Sequence, residues 1–270
     1  MKVCTIKQIS NTLFLIITND SSIHYLFKIH YFFNQFHIDE INSTYKLISD
    51  NNFSPLIIPN IKGLYVSFYK DFVFSLQIFV EGKPFSSKCI NLFAKRLADL
   101  HNLLNTYSNI SVKNHFEKTV TDINEYASFY GYKNMLPIID KVMTITKKKP
   151  KQLIHGDLHK DNIICYNNNI IFIDFDSMTI FSTIADVAFA GFRCFGLKKK
   201  YLYKFVDLYN QYNPPYKIEI NYLWHFLVYM ILQRILFIVI ENDKGNKIWM
   251  TDLDNQKYYL SIILKQLNYT

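Results

Sequence analysis

The first third of the chain alternates apolar and polar positions, the pattern of β-strands with one buried face. Residues 12–18 and 24–29 are the clearest such segments, and the turn-forming sequence Asn-Asp-Ser-Ser lies between them at 19–22. Two more strand-like segments, 64–69 and 72–79, follow further along the chain. The pattern therefore predicts a small antiparallel sheet that begins with a β-hairpin.

Helical spacing of apolar residues marks other segments. Residues 38–49 are predicted as a helix within the β-rich region, and residues 92–104 as an amphipathic helix after it. From residue 184 the helical pattern continues to the C-terminus, with a break at 213–215. The later part of the chain is thus mainly helical.

The change from β to α character comes at the Gly-Pro segment 81–84, which we interpret as a hinge. The sequence predicts an α+β protein with two lobes. Residues 1–80 form the small N-terminal antiparallel β lobe, and residues 81–270 form the larger, mainly helical C-terminal lobe.

Composition indicates a globular protein, because 50% of the 270 residues are hydrophobic and 17% are aromatic. The formal charge of +8 is concentrated locally only in the lysine runs 147–149 and 198–200. Neither run is interleaved with stacking aromatic residues, so no nucleic-acid partner is expected.

A membrane partner is not expected either. The apolar segment 223–240 contains Arg234, which at a bilayer centre would cost about 2.5–3.5 kcal/mol, so a buried core helix is predicted. The first eight residues lack the apolar run of a signal peptide, and the four cysteines are too widely spaced for a disulfide framework. A cytoplasmic location is expected.

The strongest chemical signal is the polar loop 155–162, with the sequence HGDLHKDN, followed by IDFD at 173–176. A short strand, an Asn-rich turn and a second strand are predicted between them. The two segments fit the kinase pattern H-x-D-x-x-x-x-N and an aspartate placed like that of D-F-G.

Phosphoryl transfer explains this spacing. It needs one carboxylate facing the acceptor hydroxyl and separate oxygen ligands that hold Mg²⁺ against the phosphates. Asp157 is predicted as the base, and Asn162 and Asp174 are predicted as the metal ligands. Taken singly, Asp157 or Asp161 could cap a turn, Asp176 could cap a helix, and His155 could be a hydrogen-bonded core histidine. For Asp161 and His159 a purely structural role is kept.

The motifs LIHGDLHKDN (153–162), IFIDFD (171–176) and ADVA (185–188) together resemble the aminoglycoside phosphotransferase and choline kinase family. Weaker similarities, such as YLFK at 25–28 and LADLH at 97–101, extend the resemblance over nearly the whole chain. The resemblance implies a bilobal protein-kinase-like fold.

The resemblance also implies roles for residues outside the loop. Lys28 would contact the α- and β-phosphates and pair with an acid on the following helix, for which Glu40 is the candidate and Asp39 the alternative. The backbone at Gln77 to Val80, including Phe79, would receive the adenine edge. Asp186 would brace the catalytic loop, although it could also be a helix N-cap.

Two features depart from the protein-kinase pattern. No glycine occurs before Gly63, so the turn that covers the phosphates must be Ser10 to Thr12 or the hairpin turn at 19–22. Asp176 stands where D-F-G has glycine.

The function implied is an ATP-dependent phosphotransferase, with GTP as the alternative donor, that uses Mg²⁺. It would transfer the γ-phosphoryl group to a hydroxyl of a small molecule such as an aminoglycoside, choline or another metabolite. A catalytically inactive nucleotide-binding protein and a protein kinase are the alternatives, although the eleven residues between Asp174 and Asp186 leave no room for a long activation segment. The acceptor and the oligomeric state stay open.

A polycationic acceptor would need an acidic pocket. The acids that could contribute to one are in the C-terminal part of the chain, where solvated loops are the favoured interpretation. They are Glu241, Asp243, Asp252 and Asp254.

Overall fold

A computed structural model describes residues 3–19, 23–30, 38–70, 72–106, 125–148, 151–213 and 217–268. The strands are β1 (Val3–Gln8), β2 (Leu13–Thr18), β3 (His24–His30), β4 (Ile57–Ile58), β5 (Ser67–Tyr69), β6 (Phe72–Ile78), β7 (Lys83–Pro84), β8 (Lys151–Ile154), β9 (Ile163–Tyr166), β10 (Asn169–Phe172) and β11 (Thr179–Ser182). The longer helices are α1 (Ile38–Asp50), α2 (Ile90–Asn105), α3 (Leu136–Lys148), α4 (Thr183–Phe195), α5 (Lys199–Tyr212), α6 (Ile220–Asp243) and α7 (Met250–Gln266).

The described residues form two compact units. Unit 1 contains the described parts of 1–92 together with 160–178, and unit 2 contains most of the remainder. The predicted lobes, 1–80 and 81–270, are continuous segments, whereas the segment 160–178 packs with the earlier strands of unit 1. A functional boundary at residue 80 stays a prediction.

Unit 1 is built on an antiparallel sheet with the strand order β1-β2-β3-β6-β4, and β5 pairs with β6. The predicted strands β2, β3 and β6 are confirmed, while the turn predicted between β2 and β3 lies mostly outside the described residues. β5 is shorter than predicted because the Asn60 side chain accepts hydrogen bonds from the amides of Lys62 and Leu64 and holds this stretch in a turn.

The helix predicted over 38–49 is confirmed as α1. Its apolar residues Ile41, Tyr45 and Ile48 recur on one face, and all three are buried. Helix α1 leads to Phe53, whose carbonyl accepts a hydrogen bond from the amide of Phe172 at the end of β10. The β9–β10 hairpin is thereby tied to the sheet unit by its backbone.

The Gly-Pro segment predicted as a hinge forms β7, which pairs with β9. A Cβ atom on Gly82 would overlap with Ile164 Cγ2 and would lie 3.0 Å from the carbonyl oxygen of Cys165. Glycine is therefore required here because the two backbones approach closely. The pairing joins residues 83–84 to a strand of unit 1.

Unit 2 is mainly helical, as predicted. Helix α6 packs against α3, α4 and α7, and the two-stranded sheet of β8 and β11 packs against α4. Among the described residues α6 is the one helix long and apolar enough to cross a membrane, but 61% of its apolar window is buried inside the protein. This burial agrees with the core helix predicted for 223–240.

Candidate active site

Lys28 lies in β3, in register with Leu13 of β2 and Ser75 of β6. Its side chain is 12% exposed, and its ammonium group contacts the carboxylate of Asp174 and, at 3.0 Å, Oδ1 of Asp176. The structure thus brings together the predicted phosphate lysine and the predicted metal-binding aspartate. The pairing of Lys28 with Glu40, or with Asp39 as the alternative, stays a prediction.

Asp176 is the anchor of this cluster. Besides Lys28, its Oδ1 receives hydrogen bonds from Nδ1 of His30 at 2.7 Å and from the hydroxyl of Tyr45 at 3.1 Å. Burial alone would raise the pKa of Asp176, but the His30 hydrogen bond and the Lys28 charge lower it to about 2. Asp176 is therefore an anion that holds Lys28 in place.

The protonation of His30 follows from its two partners. Its Nδ1 faces Asp176, and its Nε2 lies 2.9 Å from the hydroxyl of Ser75. Burial lowers the pKa of His30 despite the nearby carboxylate. The neutral ring therefore donates from Nδ1 to Asp176 and accepts from Ser75 at Nε2.

Sequence reasoning missed this supporting shell. Asp176 was interpreted as a substitution for glycine or a helix cap, and His30 and Tyr45 were not singled out. The second aspartate of IDFD was the available signal. His30 and Tyr45 are 146 and 131 residues away from Asp176 in the chain, so the sequence alone could not name them.

The predicted metal ligands lie at the two ends of the β9–β10 hairpin. Asn162 precedes β9 and Asp174 follows β10, and the carbonyl of Asn162 accepts a hydrogen bond from the amide of Ile173 at 3.1 Å. The turn at Asn167 and Asn168 has positive φ at both residues, 48° and 56°, which suits a two-residue hairpin loop. The predicted strand–turn–strand is confirmed.

Asp174 itself has φ 65° and ψ 58°, the left-handed region that aspartate tolerates better than most residues. Its side chain is 45% exposed. A carboxylate and an amide oxygen on adjacent backbones are hard donors of the kind that Mg²⁺ takes from proteins, with phosphate oxygens completing its shell. The carboxylate of Asp174 and the amide oxygen of Asn162 therefore fit magnesium. Elsewhere, the described residues hold no cluster of three or more His, Cys, Asp or Glu side chains that could bind a metal ion.

The predicted adenine-binding segment is at the end of β6. Gln77 lines a small cavity together with Lys28 and Asp174. The amide of Ile78 donates to the carbonyl of Leu56, and the amide of Phe79 donates to the carbonyl of His24, both at 2.8 Å. These two backbone donors are used by the sheet, and the role of Gln77 and Phe79 toward a nucleotide stays a prediction.

The turn between β1 and β2 is the candidate cover for the phosphates. The amide of Thr12 donates to the Ser10 hydroxyl at 3.3 Å, and the carbonyl of Thr12 accepts from the amide of Ile29, next to Lys28. The other candidate, the turn at 19–22, follows the opposite end of β2. Ser10 to Thr12 therefore lies at the end of the sheet that carries Lys28.

In unit 2, Asp157 is presented by the loop that follows β8. Its side chain is 38% exposed, while the next residue, Leu158, is fully buried and anchors the loop. Gly156 has φ 83°, a conformation that favours glycine at this position. The amide of Asp157 donates to Nδ1 of His155 at 3.3 Å.

Asp186 holds this loop. Its Oδ2 accepts a hydrogen bond from the amide of His155, and its Oδ1 accepts one from the amide of Gly156, both at 2.8 Å. The predicted bracing role is confirmed. The alternative of a helix N-cap is wrong, because Ser182 is the N-cap of α4.

A buried chain of side chains supports Asp186. His101 donates from Nε2 to Asp186 at 3.1 Å and accepts at Nδ1 from the Tyr209 hydroxyl at 2.7 Å, which in turn accepts from Asn213 at 2.7 Å. Burial would raise the pKa of Asp186, but the bond from His101 and the backbone amides lower it. The carboxylate is thus a fixed anion beneath the loop that carries Asp157.

Asp157 also opens onto a cavity of about 450 Å³ that lies entirely within unit 2. This volume falls in the range of small-molecule sites. Its lining residues are Gly156, Asp157, Phe189, Phe192, Arg193, Leu227, Met230, Ile231, Gln233, Arg234, Phe237 and Gln256.

The acids considered for a cationic acceptor do not line this cavity. Both oxygens of Asp252 are bonded, Oδ2 to Nε of Arg234 at 3.2 Å and Oδ1 to Gln256 at 3.0 Å. Glu241 accepts from Lys244 at 2.9 Å, and Asp243 accepts from the hydroxyl of Tyr130. These three carboxylates serve local structure. The solvated-loop interpretation is wrong, because Glu241 and Asp243 end α6 and Asp252 and Asp254 lie in α7.

Solved structures similar to this chain include three small-molecule kinases. Choline kinase LicA from Streptococcus pneumoniae is 13% identical with a TM-score of 0.66, covering 97% of this chain and 94% of that one. A choline/ethanolamine kinase family protein from Mesorhizobium loti is 9% identical with a TM-score of 0.68, covering 98% and 90%. Amicoumacin kinase hAmiN, in complex with AMP-PNP, Ca²⁺ and Ami, is 13% identical with a TM-score of 0.67, covering 98% and 87%.

These similarities show the fold, which is the α+β protein-kinase-like fold predicted from the motifs. A search of the curated proteins found no match. The sequence profile of the phosphotransferase enzyme family matches residues 6–217, which is most of the chain. The chain therefore belongs to the phosphotransferase enzyme family.

Proposed function

We propose that this chain is an ATP-dependent kinase that transfers the γ-phosphoryl group to a hydroxyl of a small molecule. The observation that carries the proposal is the placement of Asp157. Its loop is held through Gly156 by the buried carboxylate of Asp186, and Asp157 itself lines a cavity of small-molecule size. A protein substrate would need a docking surface rather than such a cavity.

The residues divide the chemistry between them. Lys28, fixed by Asp176, would bind the α- and β-phosphates of the nucleotide, and the Ser10 to Thr12 turn would cover them. Asn162 and Asp174 would hold Mg²⁺, which neutralises the phosphate oxygens when bound. Similar structures with a bound nucleotide, one of them containing Ca²⁺, support ATP and a divalent cation as its partners.

Asp157 would orient the acceptor hydroxyl and accept its proton. The hydroxyl oxygen forms a bond to the γ-phosphorus, while the bond from that phosphorus to the β,γ-bridging oxygen breaks. ADP leaves with the bonding electron pair, and the proton passes to the Asp157 carboxylate. We further propose a cytoplasmic location, in keeping with ATP as the donor.

The experiment is an assay of ADP release with Mg²⁺ and ATP, or GTP, in the presence of hydroxyl compounds. Asp157→Asn and Asp174→Asn should abolish most of the acceptor-stimulated release, whereas Asp161→Asn, in the same loop, should retain it. A wild-type protein that binds Mg-ATP but releases no ADP with any acceptor would favour the inactive, nucleotide-binding alternative.

A further inference from the structure

More basic than acidic side chains line the cavity beside Asp157. Arg193 of α4 and Arg234 of α6 both line it, and Asp157 is the one carboxylate among its described lining residues. The 30 basic residues of the chain include three arginines, and two of the three are here. Arginine differs from lysine in presenting a planar fork of N–H donors that matches a carboxylate or a phosphate.

The guanidinium groups of both arginines lie over aromatic rings, of which Phe189 and Phe237 line the cavity. The Arg193 guanidinium lies 5.5 Å from the ring centre of Phe189, and that of Arg234 lies 5.4 Å from Phe237 and 4.7 Å from Trp249. A quaternary ammonium or a polyamine is usually bound by such aromatic faces. Here it would meet two guanidinium groups of like charge.

The two arginines differ in whether a carboxylate holds the side chain in place. Asp252 contacts Nε of Arg234, and the terminal amino groups of the same guanidinium form the pair that can bind an oxyanion side by side. Among the described ion pairs none involves Arg193. The cavity therefore offers one oriented guanidinium and a second whose charge no described carboxylate pairs with.

We propose that the acceptor is an anionic hydroxyl compound, whose carboxylate or phosphate group binds Arg193 and Arg234 while its hydroxyl faces Asp157. This inference rests on the proposed kinase function and names its substrate class. It separates this chain from kinases whose acceptor is a cation. Arg193 lies about 10 Å along α4 from Asp186, the residue whose carboxylate holds Gly156 next to Asp157. The anionic group and the reacting hydroxyl are therefore expected at different ends of the acceptor.

The test uses acceptors paired by carbon skeleton. ADP release is measured with glycerate against glycerol, ribonate against ribitol and gluconate against glucitol. Ribose 5-phosphate against ribose tests phosphate as the anion, and choline, ethanolamine and kanamycin represent cations. At least one anionic member should have a KM about tenfold or more below that of its uncharged partner, because charge-assisted hydrogen bonds are roughly twice as strong as neutral ones.

Variants locate the effect. Arg234→Gln and Arg193→Gln should each raise the KM for the anionic acceptor by about 10- to 100-fold, with little change in the KM for ATP or for the uncharged partner. Arg96→Gln, the third arginine and outside the cavity, is the matched control and should behave as wild type toward the acceptor. A general structural defect would change the KM for ATP and for both members of a pair.

A binding measurement keeps the inference testable if no compound is phosphorylated. Trp249 stacks on Arg234, so an anion bound to Arg234 should change the fluorescence of Trp249. The signal of Trp249 is obtained by subtracting the fluorescence of Trp249→Phe from that of wild type. It should change when gluconate or ribose 5-phosphate is added, and Arg234→Gln should abolish this change. Lack of binding by every anionic compound would overturn the inference.

The other outcomes separate the two proposals. Stimulation of ADP release by a cation, or equally by acid and polyol, would overturn the anionic acceptor and still support the kinase. Failure to bind Mg-ATP at all would overturn the proposed kinase function itself.

Discussion

Replacing Asp186 by asparagine tests the contact that holds the loop carrying Asp157. The carboxylate is fully buried and accepts three hydrogen bonds, from the amides of His155 and Gly156 and from Nε2 of His101. Asparagine has nearly the same shape but only one acceptor oxygen. The less costly orientation keeps that oxygen toward His155 and His101, and sets the new amino group against the amide of Gly156, donor against donor.

The magnitude follows from this geometry. A hydrogen bond to a charged group contributes about 1.5–3 kcal/mol, and a buried donor left without an acceptor adds a further cost. We expect Asp186→Asn to reduce the free energy of unfolding of unit 2 by about 2–4 kcal/mol. Because Gly156 would lose its acceptor next to Asp157, kcat should also fall by about 10- to 100-fold, with the KM for ATP little changed.

The assay can report on unit 2 alone. Both tryptophans of the chain, Trp224 and Trp249, lie in unit 2, so urea unfolding followed by tryptophan fluorescence measures that unit. The exposed Asp140 on α3 provides the control: Asp140→Asn should change stability by less than about 0.5 kcal/mol. An Asp186→Asn protein with the wild-type unfolding midpoint and the wild-type kcat would refute the bracing role.

The pH dependence gives an independent check. The pKa of Asp186 is lowered in the folded state from its ordinary value of 3.8. The ionised Asp186 carboxylate therefore makes its full contribution to the free energy of unfolding above the ordinary pKa. This contribution is lost as the pH falls through the lower pKa of the folded state. The stability difference between wild type and Asp186→Asn should narrow below about pH 4. A difference that widens on acidification would contradict the assignment of Asp186 as the anion.

Three further predictions concern unit 1 and the base. Lys28→Ala should weaken turnover with ATP severely, and it should also lower stability because the buried Asp176 loses its cation; unchanged turnover would remove Lys28 from the site. Gly82→Ala should destabilise the protein by about 1–3 kcal/mol, measured by thermal unfolding, because a Cβ would overlap its neighbours on β9; a wild-type melting temperature would show that β7 can shift freely. Asp174→Asn should weaken metal-dependent nucleotide binding, measured by calorimetry. Asp157→Asn should leave this binding intact and reduce kcat by roughly two to four orders of magnitude in single-turnover assays. Transfer at the wild-type rate by Asp157→Asn would refute its role as base.

The local features of the site could be predicted from the sequence because they depend on residues close together in the chain. Eleven residues, which form one hairpin, separate Asn162 from Asp174, and the strands and the Asn-rich turn of this hairpin are visible in the sequence. The helices α1 and α2 were predicted for the same reason, since their apolar spacing records which face is buried. The motifs at 153–162, 171–176 and 185–188 also predicted the family, which the match over residues 6–217 confirmed.

The tertiary structure alone decided which distant side chains support these residues. Lys28 contacts Asp174 and His30 contacts Asp176, each across 146 residues of the chain, and β7 pairs with β9 because the backbone at Gly82 can approach it closely. Arg193 and Arg234 come from two different helices, and no periodicity relates them. Such contacts are set by the packing of whole elements, which local sequence patterns do not record. The sequence by itself therefore determined the reaction class and the hairpin, while the fold decided the partners of Asp176 and the charged side chains that line the cavity beside Asp157.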